Sequence, residues 1–175
     1  TDEPNTTIRR LINALFCNQY SVRKLKALSK AHYTIYPNFS NLIENTIPIS
    51  LMSGNADKVN DGETVNILLG QPVYLEAQKN IDLAEKVIKR FDIQYYLPHP
   101  REQYQLENVT YIDTPLIFED VMAQQFADKK CRVYTYFSSA ILNVANNPNM
   151  DVIALRVETD KPDFIECYRL LEQVG

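Results

Sequence analysis

The sequence predicts an α/β fold, a doubly wound domain built on a mostly parallel β-sheet. From Val65 onward, short β-branched or aromatic runs alternate with segments of helical periodicity, the pattern of a parallel sheet covered by helices on both faces. The chain has 175 residues, 45% of them hydrophobic and 23% charged, enough to bury a core. We expect this domain over residues 65–175, with a helical or linker region at 1–64 that packs on it.

The first half of the domain is predicted in a simple order. A strand at 65–69 ends where Gly70 interrupts the β-branched run. Apolar residues then recur at three- and four-residue steps, which predicts an amphipathic helix over 79–91. A second strand at 93–97 stops at a Pro-His-Pro sequence, and a third strand follows at 109–112.

The next helix is predicted over 114–128 from its start signals. Thr114 suits the N-cap, Pro115 suits the first turn, and Glu119 places negative charge near the positive end of the helix dipole. A fourth strand is expected at 132–137, because it is a β-branched and aromatic run.

The remaining elements complete the alternating pattern. An apolar helix is predicted at 140–145, a fifth strand at 151–157 and a closing helix at 162–173. The less regular N-terminal region predicts one or two helices between 6 and 31 and a strand at 33–36.

Polar side chains follow three of the predicted strands. In open parallel sheets, ligands bind beyond the carboxyl ends of the strands. His99 follows the second strand, Glu119 follows the third, and the pair Ser138 and Ser139 follows the fourth. These three loops are therefore expected to converge on one ligand.

Each of these side chains has a functional and a structural interpretation. Two hydroxyl groups and free amides at a helix start bind a phosphate, but Ser138 can also be a simple N-cap. An imidazole at His99, with Arg101 nearby, suits a proton donor beside a leaving phosphate, or it can be a structural histidine. Glu119 can hold ribose hydroxyls or only balance the helix dipole.

Net charge, apolar runs and residue spacing argue against several classes of function. A formal charge of −4 argues against nucleic acid as a partner. No run of apolar residues is long enough to span a bilayer, although a basic cluster lies in the first thirty residues and leaves peripheral membrane contact open. The three cysteines lack the spacing of a zinc site, and no Asp-x-Asp pair is present to hold a metal on a diphosphate.

Three ordered motifs carry a family resemblance: Tyr-Leu-Pro-His-Pro-Arg-Glu at 96–102, Ile-Asp-Thr-Pro-Leu-Ile-Phe-Glu-Asp at 112–120 and Tyr-Phe-Ser-Ser-Ala at 136–140. Together they resemble glycosyltransferase family 52, the bacterial lipooligosaccharide sialyltransferases. The resemblance implies a GT-B enzyme whose Rossmann-like C-terminal domain is contained in this chain. It implies inverting transfer of sialic acid from CMP-sialic acid to a terminal galactose, with neither a metal nor a cofactor.

The resemblance also implies roles for individual residues. His99 would assist departure of CMP at its phosphate, Ser138 and Ser139 would bind that phosphate, and Glu119 would hold the ribose. Further nucleotide contacts are expected from the side chain or main chain around three residues: Pro100, Arg101 and Leu116.

The general base is expected from a carboxylate near the first strand. Related bacterial sialyltransferases use an acidic pair followed by glycine, and this triplet is absent from the chain. The nearest candidate is Glu76, and Asp61 is the second choice.

Two other functions stay open at the level of sequence. One is a nucleotide-binding module that is inactive without its acceptor domain, and the other is a glycosyltransferase that uses a different sugar nucleotide. The expected partners are a nucleotide-sugar donor and a glycan acceptor, and a homodimer stays open. The expected location is the cytoplasm, with a peripheral position on the inner membrane left open.

Overall fold

The computed structural model describes residues 6–17, 22–37, 39, 41, 43–51, 62–158 and 161–174. The chain divides into two compact units, Thr1–Ser50 and Leu51–Gly175. The expected organisation, in which residues 1–64 pack on a domain at 65–175, stays a prediction.

The first unit contains two helices and a small parallel ribbon. Of the one or two helices predicted, two are present. The strand predicted at 33–36 lies at His32–Thr34, where it pairs with a strand that the sequence did not predict. Thr6 caps the first helix, because its hydroxyl accepts a hydrogen bond from the Arg9 amide at 3.4 Å. The elements are α1 (Thr7–Leu15), α2 (Val22–Leu28), β1 (His32–Thr34) and β2 (Thr46–Pro48).

The second unit is built on a five-stranded sheet in which every pair of neighbouring strands is parallel. The predicted parallel α/β architecture is therefore confirmed. The order across the sheet is β5-β4-β3-β6-β7, so the chain starts at the centre and builds outward in both directions. The strands are β3 (Thr64–Leu69), β4 (Tyr95–Leu97), β5 (Thr110–Tyr111), β6 (Lys130–Thr135) and β7 (Met150–Ala154).

Helices cover both faces of this sheet. Apolar side chains of neighbouring residues in β3 point to opposite faces, so Ile67 packs with one buried cluster and Leu68 with the other. The Ile67 cluster includes Val121 of the helix after β5, and the Leu68 cluster includes Val87 of the helix after β3. The helices are α3 (Ala77–Phe91), α4 (Phe118–Gln125), a 3-10 helix (Ser139–Asn143) and α5 (Pro162–Val174).

Two predicted helices differ from those observed. The helix predicted from Thr114 begins at Phe118, because the Thr114 hydroxyl accepts a hydrogen bond from the Leu116 amide at 3.1 Å and forms a turn instead of a cap. The segment after Ser138 forms a 3-10 helix, the form that short helical segments commonly take.

Both β6 and β7 end earlier than expected, and side chains explain these two ends. The amide of Phe137 donates to the side chain of Gln71 at 2.9 Å, so β6 stops at Thr135. The amide of Val157 donates to the hydroxyl of Tyr168 at 3.0 Å, so the chain has already left β7 there. In the described part of the chain, no helix is long and apolar enough to cross a bilayer.

Candidate functional site

The candidate site lies at the point where the strand order of the sheet reverses. Both β4 and β6 pair with the central strand β3. The chain after β3 leads to α3 on one face, and the chain after β6 leads to the 3-10 helix on the other. Loops that diverge in this way open a crevice at the carboxyl ends of the strands, where α/β proteins bind ligands.

Gln71 joins the two diverging loops. Its side-chain oxygen accepts hydrogen bonds from the hydroxyl of Thr135 at 2.8 Å, the amide of Phe137 at 2.9 Å and the amide of Tyr136 at 3.2 Å. The hydroxyl of Thr135 also accepts from the Ser138 amide at 3.3 Å. Gln71 therefore fixes the path of the chain into the serine pair.

The serine pair stands at the start of the 3-10 helix, as predicted. The hydroxyl of Ser138 accepts a hydrogen bond from the Ala140 amide at 3.3 Å, so it acts as the N-cap. Ser138 is half-buried, whereas Ser139 is exposed. Phosphate binding by the pair stays a prediction.

His99 is half-buried in a tight turn that follows β4. Its Nδ1 atom accepts a hydrogen bond from the Arg101 amide at 3.1 Å, so the neutral imidazole carries its proton on Nε2. Burial and, to a smaller degree, the charge of Arg101 lower the pKa of His99 below its usual value. Pro100 and Arg101 are exposed on the same turn.

Glu102 closes this turn, and the sequence did not identify it as a site residue. Its amide donates to the His99 carbonyl at 2.8 Å, and its Oε2 atom accepts from the His99 amide at 3.4 Å. The same Oε2 atom accepts from the hydroxyl of Tyr96 at 2.7 Å. Burial raises the pKa of the Glu102 carboxyl above its usual value, although these donors act in the opposite direction.

Glu119 is buried in the first turn of α4, where it was predicted. It is 5% exposed, and its carboxylate accepts a hydrogen bond from the side-chain amide of Asn143. Since Asn143 ends the 3-10 helix that Ser139 begins, this bond couples the loop after β5 to the loop after β6. Leu116, in the loop that leads into α4, is half-buried.

Glu76 stands immediately before α3 and is exposed. Its carboxylate pairs with Lys79, which raises the pKa of Lys79. The buried side chain of Asn80 holds the loop, because its oxygen accepts from the amides of Val73 and Tyr74 and its nitrogen donates to the carbonyls of Tyr74 and Glu76. A role for Glu76 as general base stays a prediction, and Asp61 lies outside the described residues.

Three polar side chains, of which Asn80 is buried and Gln71 and Glu102 are half-buried, thus hold the loops of the site, and sequence reasoning missed all three. The sequence contained a signal for Asn80, because this polar residue lies on the face of α3 that also buries Ala84 and Val87. Gln71 and Glu102 carried a weaker one, because each is a polar residue just beyond a strand. Among the described residues, no cluster of three or more His, Cys, Asp or Glu side chains could hold a metal ion.

Comparison with known proteins gives a consistent result. The model of glycosyltransferase family 52 matches residues 2–159. A CMP-N-acetylneuraminate:beta-galactoside alpha-2,3-sialyltransferase of Pasteurella multocida is 52% identical over 99% of this chain and 57% of its own length. N-acetyllactosaminide alpha-2,3-sialyltransferases of Haemophilus influenzae and Neisseria meningitidis are 38% and 31% identical, over 99% and 98% of this chain and 56% and 48% of their own lengths. The chain spans about half the length of these curated relatives.

Proposed function

Because the chain belongs to glycosyltransferase family 52, we propose that it forms the donor-binding part of a sialyltransferase. The donor is CMP-sialic acid, and the acceptor is a terminal galactose of a bacterial lipooligosaccharide. The names of the three relatives support a β-galactoside acceptor and an α-2,3 linkage.

One structural observation carries the proposal. The chain after β4, β5 and β6 leaves the same edge of the sheet, because these strands are parallel, and it carries His99, Glu119 and the serine pair. The direct bond between Asn143 and Glu119 ties two of these segments together. A nucleotide at this edge reaches groups suited to a phosphate and to a ribose.

The phosphate of CMP binds to the serine pair and to His99. Ser138 and Ser139 offer hydroxyl groups, and the imidazole of His99 donates from Nε2 while Nδ1 is held by the Arg101 amide. The exposed guanidinium of Arg101 adds positive charge to the same turn. Such donors stabilise the leaving group most strongly as negative charge develops on it, so they lower the barrier to departure.

The nucleoside binds on the adjoining loops. The carboxylate of Glu119 accepts hydrogen bonds from the ribose hydroxyls, and Asn143 orients that carboxylate from the other side. Main-chain groups around Pro100 and Leu116 contact the cytosine. The Leu116 amide already donates to Thr114, and the carbonyls of this loop can accept a hydrogen bond from the amino group of the base.

The transfer step has a balanced scheme. Glu76 takes the proton of the galactose hydroxyl, whose oxygen forms a bond to the anomeric carbon of sialic acid. The bond from that carbon to the phosphate oxygen breaks, and its electron pair leaves with CMP. Attack from the face opposite the leaving group inverts the anomeric configuration, and cationic and hydrogen-bonding groups of the protein replace a metal at the phosphate. This reaction places the protein in the cytoplasm, where the donor is made.

Calorimetry with CMP tests the donor site. Ser138→Ala and Ser139→Ala are expected to weaken the binding of CMP by about 1 to 3 kcal/mol, the usual contribution of charge-assisted hydrogen bonds. Ser29→Ala removes a hydroxyl from the other compact unit and is expected to leave affinity unchanged. His99→Ala is expected to reduce turnover more than binding. Unaltered CMP affinity in both serine variants contradicts the site.

A transfer assay then separates the alternatives. The full-length protein is given CMP-sialic acid and a β-galactoside, and formation of the sialylated product supports the enzyme. CMP binding without transfer supports a nucleotide-binding module instead. Binding of UDP-sugars without binding of CMP supports another donor and contradicts the sialyl assignment.

A further inference from the structure

We propose that Glu102 is a positioning residue for His99, and that it acts by tying the turn of His99 to the buried hydroxyl of Tyr96. This inference rests on the proposed function and deepens it. Nothing in the sequence motif itself assigns a role to the glutamate.

The first support is the connection that Glu102 makes. The main chains of His99 and Glu102 form a closed turn, in which the Glu102 amide donates to the His99 carbonyl at 2.8 Å. The carboxyl group of Glu102 adds a second link, because one oxygen atom accepts both from the His99 amide and from the Tyr96 hydroxyl. Tyr96 is a strand residue that is only 1% exposed, so the turn is anchored in the core.

The second support is the space that β3 leaves for this pair. A Cβ atom added at Gly70 would lie 2.7 Å from the Glu102 Oε2 atom and would also collide with the Tyr96 hydroxyl. The main chain at the end of β3 therefore approaches the carboxyl–phenol pair as closely as glycine allows. The pair therefore lies at the carboxyl end of β3, the central strand on either side of which the strand order reverses.

Three tyrosine side chains of the described part of the chain interact with the Glu102 carboxyl group. Tyr96 comes from β4, Tyr104 from the following loop and Tyr136 from the loop after β6, while Arg101 is exposed on the turn. Burial raises the pKa of Tyr104 to about 12, so this phenol stays protonated near neutral pH and can act as a hydrogen-bond donor. The Glu102 carboxyl group therefore serves the turn as a hydrogen-bond acceptor.

A double-mutant cycle tests the proposal in the full-length protein. Since a misplaced catalytic group can cost about a hundredfold in rate, Glu102→Ala is expected to lower kcat by about tenfold to a hundredfold, with a smaller change in KM for the donor. His99→Ala with Glu102→Ala is expected to be no slower than His99→Ala alone, because Glu102 acts through His99. Glu102→Gln keeps an acceptor oxygen and should retain most of the rate. Glu107→Ala, an exposed glutamate of the same loop, is the matched control.

A titration that needs no activity separates this inference from the proposed function. The chain has two histidines, so NMR can follow His99 with His32 as the internal reference. Glu102→Ala should move the pKa of His99 toward its ordinary value, because the released imidazole becomes more solvated, and Glu107→Ala should not. If Glu102→Ala fails to fold, Tyr96→Phe removes one anchor of the turn and should shift His99 in the same direction.

The outcomes decide both questions. Wild-type protein without transfer activity counts against the proposed function, while a shifted His99 titration still supports the positioning role. If the pKa of His99 in Glu102→Ala or Tyr96→Phe equals that of the wild type, the positioning role is overturned. A double variant whose loss in rate is the product of the two single losses also overturns it.

Discussion

The side-chain oxygen of Gln71 lies 2.8 Å from the hydroxyl of Thr135, and this contact joins the loop after β3 to the end of β6. The same oxygen accepts from two main-chain amides of the loop that leads to the serine pair. A single side chain of the loop after β3 thus determines the entry to the predicted phosphate site.

Gln71→Ala is expected to destabilise the protein and to weaken the binding of CMP. Three donors lose their acceptor, and a buried donor left unsatisfied costs about 1 to 3 kcal/mol. Urea unfolding measures the loss of stability, and calorimetry measures CMP affinity. Gln71→Glu keeps the acceptor oxygen and should be milder, and the exposed Gln105→Ala serves as the control. Wild-type stability in Gln71→Ala would contradict this role.

Gly70→Ala is expected to cost stability because the added methyl group meets the Glu102 carboxyl and the Tyr96 hydroxyl. Overpacking of this kind typically costs about 1 to 3 kcal/mol. Gly62→Ala is the matched control, since no atom lies within 4 Å of a Cβ atom built there. Thermal unfolding of the two variants measures the difference. Equal stabilities would show that the side chains of Glu102 and Tyr96 move aside easily.

Asn80→Ala is expected to loosen the loop that carries Glu76. The side chain of Asn80 is 4% exposed and makes four hydrogen bonds to the main chain of that loop. If Glu76 is the general base, turnover should fall by more than CMP affinity, because the nucleotide contacts lie on other loops. Glu76→Gln should show the same separation between turnover and binding. A parallel loss of both quantities in Asn80→Ala would point to general unfolding instead.

The sequence was sufficient to predict the order of strands and helices in the second unit, because that order depends on periodicity and on turn residues. It failed where a distant side chain intervenes. The side chain of Gln71, 66 residues before Phe137, accepts the amide hydrogen of Phe137 just beyond β6. The hydroxyl of Tyr168 accepts the amide hydrogen of Val157, so the predicted last residue of β7 lies outside the strand. Neither contact leaves a local pattern in the strand that it shortens.

The residues of the candidate site were likewise predictable only in part. The placement of His99 and Ser138 just beyond strands was predictable, because proline neighbours and a strand end mark these positions in the sequence, and their roles stay predictions. Glu102 was not predictable, since its interest comes from a contact with Tyr96 that exists only after the strand and the turn have folded together. The helix after Ser138 was predicted without its 3-10 type, because apolar periodicity over five residues does not distinguish helix types.

Binding of CMP is expected to raise the pKa of His99. In the protein alone, burial and Arg101 lower that pKa, so the imidazole is neutral near neutral pH. A phosphate anion beside the imidazole favours its charged form. Between the lower pKa of the free protein and the higher pKa of the complex, binding takes up a proton, so affinity falls as pH rises through that interval.

Calorimetry in two buffers of different ionisation enthalpy measures this uptake at several pH values. His99→Gln is the control, because the phosphate of CMP titrates in both proteins and only the contribution of His99 is lost. The wild type should take up more protons than the variant within the interval, since the phosphate contribution is common to both. Equal uptake would place the phosphate away from His99, and the serine pair would then have to bind it without help from the imidazole.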